Sequence, residues 1–88
     1  MSLQEIIQNE SVEDFVTFFG LILSYQNIDR LYTKYRFEVI ISSEFLKTFH
    51  NLFAKEIFID DNGKVAKGPN WKEPKFVTEK KYDLSNFS

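Results

Sequence analysis

The residues of this chain best suited to chemistry lie in one stretch, NIDRLYTKYRF, residues 27–37. Three cations, Arg30, Lys34 and Arg36, are interleaved there with three aromatics, Tyr32, Tyr35 and Phe37. Cations can meet phosphates while rings stack on bases, the pattern of a nucleic-acid surface. Tyr and Arg are also typical anchors of protein interfaces. A third reading is structural, with Leu31, Tyr32 and Tyr35 in a core and the cations solvating the outer face. Nucleic-acid modules of this size carry a strong positive charge. Here the formal net charge is −2, and Asp29 and Glu38 accompany the cations. Binding to another protein is therefore the function expected. The alternative is nucleic-acid binding through Arg30, Lys34, Arg36 and a Lys-rich C-terminal segment.

Other constellations offer less. His50 is the only histidine. A catalytic imidazole needs a nucleophile beside it, and no Gly-x-Ser-x-Gly elbow exists, so His50 reads as an imidazole at a helix surface. With no Cys, disulfides and thiolate metal sites are excluded. Asp60-Asp61-Asn62-Gly63 faintly resembles a calcium loop, but the ligand spacing and the later Glu are wrong, and a turn is expected. The glycines at 20, 63 and 68 do not cluster into a phosphate-binding loop. No cleft of useful size is expected in so short a chain. A non-enzymatic protein with no cofactor and no metal follows.

Whatever these residues do, a small domain must position them. Eighty-eight residues make one domain with a thin stability margin. Ten Phe, four Tyr and one Trp must supply most of its core. Each buried ring removes about 150–250 Å² from water. Charge is unevenly spread. Residues 1–24 carry Glu5, Glu10, Glu13 and Asp14 with no Lys or Arg. Residues 63–81 carry six Lys against Glu73 and Glu79. The two ends can attract each other or serve two partners. The most apolar run, FVTFFGLILSY, is eleven residues long and interrupted by Thr17, Gly20 and Ser24. A bilayer span needs about twenty. No cationic n-region opens the chain. A soluble, cytoplasmic protein without a membrane partner is expected, with self-association left open.

Helix signals come first. Ser2 and Glu5 form a capping-box pattern ahead of Ile6 and Ile7. Ser11 can cap a helix over 11–19 ended by Gly20, with a helix running through to Ser24 as the alternative. Asn27 can cap the next helix, with Ile28, Leu31, Tyr32 and Tyr35 on one face. Phe37, Val39 and Ile41 alternate with Arg36 and Glu38 in a β-branched stretch, which suits a strand, although the same residues can continue a helix. Ser42 or Ser43 can cap a third helix, striped by Phe45, Phe49, Leu52 and Phe53. Asn62-Gly63 between Ile57-Phe58-Ile59 and Val65-Ala66 predicts a type I′ hairpin.

From Gly68 the chain carries Pro69, Pro74 and many Lys, with Trp71, Phe76, Tyr82 and Phe87 spaced as separate anchors. The fold expected is α+β, an α-rich small single domain over 1–67. It has two or three short helices and one small β-hairpin, with an extended C-terminal tail over 68–88. Phe15, Phe19, Leu31, Phe45, Phe49 and Phe53 are the expected core. The tail has two readings. Trp71, Phe76 and Tyr82 dock a partner, or Trp71 folds back onto the helices while Glu10 to Asp14 hold the lysines.

Two segments, SVEDFVTFFG (11–20) and NIDRLYTKYRF (27–37), resemble the N-terminal half of the nitrogenase-stabilising/protective proteins. Phe19-Gly20 match the end of that family's first helix, and Asn27, Arg30, Leu31, Arg36 and Phe37 match its Asn-hydrophobic-x-Arg-Leu segment. The second half departs, with IFIDDNGKVA and a Lys-rich tail where the family is helical. The resemblance implies a non-enzymatic helper that associates with the molybdenum–iron protein of nitrogenase.

Overall fold

Helix α1 (Leu3–Asn9) turns Ile6 and Ile7 fully inward. The structure, a computed structural model, describes residues 3–85, so the cap expected of Ser2 and the anchor expected of Phe87 lie outside the described residues. Helix α2 (Val12–Phe19) is capped by Ser11, whose Oγ accepts the Asp14 N–H at 3.1 Å, as its sequence predicts. It ends at Gly20, where bulk decides the residue. A Cβ there would lie 2.9 Å from the Phe58 ring.

Helix α3 (Tyr25–Tyr35) starts earlier than the Asn27 cap predicts. Ser24 Oγ accepts the Asn27 N–H at 3.2 Å instead. Either residue is a good cap. The earlier start brings Tyr25 onto Phe45, with ring centroids 4.6 Å apart. Residues 37–41 are helical, forming α4 (Phe37–Ile41). Val39 packs inward while Phe37 and Ile41 stay exposed. Helix α5 (Glu44–Ala54) follows Ser43, which sits at φ 63 and makes no side-chain cap bond. Ser42 Oγ accepts the Glu44 N–H at 3.3 Å in its place.

Strands β1 (Phe58–Asp61) and β2 (Lys64–Lys67) pair antiparallel, with Phe58 opposite Lys67 and Asp61 opposite Lys64. Asn62 at φ 54 and Gly63 at φ 85 give both positive angles that the tight turn requires. A single turn, α6 (Lys75–Thr78), follows Pro74. The architecture is thus α+β and α-rich. Among the described residues, three helices have eight or more residues (α2, α3 and α5) and three are shorter.

One chain of rings runs through the core. Phe15 stacks on Phe19 at 4.6 Å and meets Tyr32 at 5.6 Å, and Tyr32 meets Phe45 at 5.6 Å. Phe15, Phe19 and Phe45 are buried as expected, whereas Leu31, Phe49 and Phe53 are only partly covered. Tyr32, Phe58 and Phe76 occupy the centre beside them. Phe76 belongs to the segment beyond residue 67, so the packing has no boundary there. That segment is largely without regular structure, but it is bound to the domain. Gly68 N–H donates to Ile57 O at 2.8 Å and Asn70 N–H to Glu56 O at 3.1 Å.

Candidate protein-docking face

The structure separates the six residues singled out for binding. Arg36 is a tie within the fold. Its Nη1 donates to Ile7 O at 3.3 Å and Glu10 O at 3.2 Å, the open carbonyls at the end of α1. Its Nε donates to Glu38 at 3.0 Å. A cation at a helix C-terminus suits both the unsatisfied carbonyls and the helix dipole.

Trp71, Phe76 and Tyr82 also face inward, in the fold-back arrangement. The Trp71 indole N–H donates to Thr17 O at 3.0 Å, and Lys67 Nζ lies 4.2 Å from its ring centroid. Phe76 is 2% exposed, against Phe18, Phe19 and Tyr82. Tyr82 Oη and Lys81 Nζ both donate to Glu10 Oε2, at 2.7 and 2.8 Å. Burial pushes the Glu10 carboxyl up, but these two bonds and the Lys81 charge outweigh it and hold the group below the ordinary carboxylate range. The physical reason is proximity of opposite charge and apolar demand. Lys81 and Tyr82 find the acid of the first corner, and two rings, Trp71 and Phe76, find α2.

Arg30 and Lys34 remain, and they share a face. Asn27, Arg30, Leu31 and Lys34 are spaced i, i+3, i+4, i+7 on α3, within about a 100° arc. With Leu3 of α1 and Leu23 of the connector between α2 and α3 (residues 20–24) they line a hollow of about 340 Å³. Both cations are exposed, and neither enters a described ion pair. Lys34 Nζ rests 5.2 Å from the Tyr35 ring centroid. Leu23 also lines a second hollow of about 590 Å³, which runs past Leu21, Phe49 and Phe53 to Val65 of the hairpin. Ile22, 43% exposed, stands beside it. The connector that separates the hollows is held by Ile22 N–H and Leu23 N–H, which donate to Phe19 O at 3.0 and 2.8 Å.

Leu3, Leu23 and Asn27 were not among the residues expected to bind. Leu23, Asn27 and Leu31 recur every fourth position, a signal present in the sequence but obscured by placing the helix start at Asn27. His50 is exposed on α5. Among the described residues no three His, Asp or Glu side chains gather to hold a metal, and no helix is long and apolar enough to cross a membrane. Comparisons with protein families, with curated proteins and with solved structures found no match for this chain.

Proposed function

We propose that this is a small, non-enzymatic accessory protein that binds another protein through the leucine-lined face of α3. One observation carries the reading. Arg30 and Lys34, both free of described ion pairs, stand at the rim of a hollow lined by Leu3, Leu23 and Leu31. An apolar centre with charged groups around it is the usual anatomy of a protein-binding patch. The nucleic-acid alternative has less support. Arg36 is committed to α1 and Lys81 to Glu10, so two cations of that surface are already engaged.

The resemblance to nitrogenase-protective proteins makes the molybdenum–iron protein the first large assembly to try. Several residues carrying it, Phe19, Gly20 and Arg36, have structural work here. Arg30 and Leu31 lie on the docking face. The test is affinity capture from the native host with the wild-type chain and with the Arg30→Glu/Lys34→Glu variant. A protein retained only by the wild type, at equal melting temperature, supports the reading. Equal capture by both variants rejects this face.

A further inference from the structure

We infer that the occupant of this face is an acidic amphipathic helix of the partner. The inference rests on the docking function proposed above and adds the chemistry of what docks. Shape comes first. Leu3 belongs to α1, and Asn27, Arg30, Leu31 and Lys34 to α3, so the hollow is a trough between two helices. Asn27 to Lys34 is seven residue steps, or roughly 10 Å of helix at 1.5 Å per residue. A trough of that length and apolar lining fits a third helix laid into it, reading side chains at i, i+3 or i+4, and i+7. Leu23 lines the second hollow as well.

Charge selects among amphipathic helices. Among the described residues, the rim of the first hollow holds Arg30 and Lys34 and no carboxylate. A basic helix would bring like charges together, whereas glutamates flanking its leucines would meet both cations. Such rim charges set specificity and association rate and are weakened by salt. A phosphate backbone fits less well, because the centre of the trough offers leucines rather than donors.

The test uses the full chain, labelled with nitrogen-15, and two synthetic helical peptides. One carries leucines at heptad a and d positions with glutamates at the flanks, and its twin has lysine for every glutamate. The acidic peptide is expected to shift the amides of Leu3, Leu23 and residues 27–34, with a dissociation constant below millimolar. Arg30→Glu/Lys34→Glu should weaken it by about tenfold at unchanged melting temperature. Binding of the lysine twin as tightly, shifts elsewhere, or no shift up to millimolar peptide overturns the inference. So does movement of the same amides on dilution of the protein alone, which would make a second copy the occupant. Where host capture depends on Arg30 and Lys34 yet the acidic peptide fails, the docking function stands and only the acidic helix falls.

Discussion

Phe76→Ala is the sharpest test of whether the C-terminal segment belongs to the core. The ring is 2% exposed, with centroids 5.9 Å from Phe18, 6.4 Å from Phe19 and 6.0 Å from Tyr82. Truncating a buried Phe costs about 3–5 kcal/mol, more where the site cannot collapse. The neighbours here are rigid rings, so the upper half of that range is expected. A domain of 88 residues has roughly 4–13 kcal/mol of total stability at 0.05–0.15 kcal/mol per residue. The substitution therefore removes a third or more of it. With each kcal/mol worth about 4–8 °C in a domain of this size, the melting temperature should fall by at least about 16 °C. The assay is thermal and urea unfolding followed by circular dichroism, with Phe37→Ala as control. Phe37 is 53% exposed, so its loss should stay within about 1 kcal/mol. Cutting the chain after Lys67 removes Trp71, Phe76 and Tyr82 together and should leave it unfolded. A Phe76→Ala protein as stable as the wild type, or a folded truncation, would refute this packing and restore the segment as a free binding arm.

Four further outcomes are expected. Tyr32 is fully buried and its hydroxyl has no partner among the described residues, so Tyr32→Phe should leave stability equal or raise it by up to about 1–3 kcal/mol, and a clear loss in urea unfolding would show that the hydroxyl is bonded. Glu56 ends α5 at φ 58, where left-handed geometry costs a non-glycine residue about 1–2 kcal/mol. Glu56→Gly should give a net gain of about 0.5–1 kcal/mol after the entropy of the unfolded chain, read as a higher midpoint. Gly63→Val should weaken the hairpin by forcing a β-branched residue to φ 85, visible as faster amide exchange across residues 58–67. The Glu10 latch should give a pH plateau. The folded carboxyl titrates lower than the unfolded one, so its contribution is complete above the unfolded value and fades as pH falls below about 5. The Lys81 ammonium and Tyr82 phenol titrate higher when folded, Lys81 through its bond to Glu10 and Tyr82 through burial and that same carboxylate. Their contribution is complete at neutral pH and fades as pH rises beyond about 10. Glu10→Gln should flatten both edges of a melting-temperature profile, and an unchanged profile would dismiss the latch.

Local chemistry made much of the fold legible. Ser11 and Asp14 marked the start of α2, and Asn62-Gly63 marked the hairpin turn, because both signals act within four residues. Helix stops were harder, and the reason is specific. After α5, Ile57 N–H donates to Leu52 O and Glu56 N–H to Phe53 O. After α6, Lys81 N–H donates to Phe76 O and Lys80 N–H to Val77 O. Both are Schellman closures, which ordinarily place glycine at the left-handed residue. This chain places Glu56 and Lys80 there, at φ 58 and 53, so the usual punctuation is missing. The single turn of α6 was hidden further by Pro74, which disfavours helix before it yet serves well as the residue that opens one.

Composition alone left the tail open between a free arm and a segment folded back on the helices, since lysines and prolines suit either. What anchors it is long-range: Trp71 reaches Thr17 O and Tyr82 reaches Glu10, across 54 and 72 residues of sequence. No local pattern encodes such pairings, although the opposed charges of the two ends foreshadowed the second. The same long-range ties also sort the six candidate residues into inward-facing and exposed ones. Once Arg36, Trp71, Phe76, Tyr82 and Lys81 are spoken for inside the fold, Arg30 and Lys34 are what remains of the original surface. Their spacing on α3 matters only because Leu3 and Leu23 approach from other parts of the chain. A face made from three segments lies beyond any single sequence window, and it comes into being only when α1 and the connector are seated against α3.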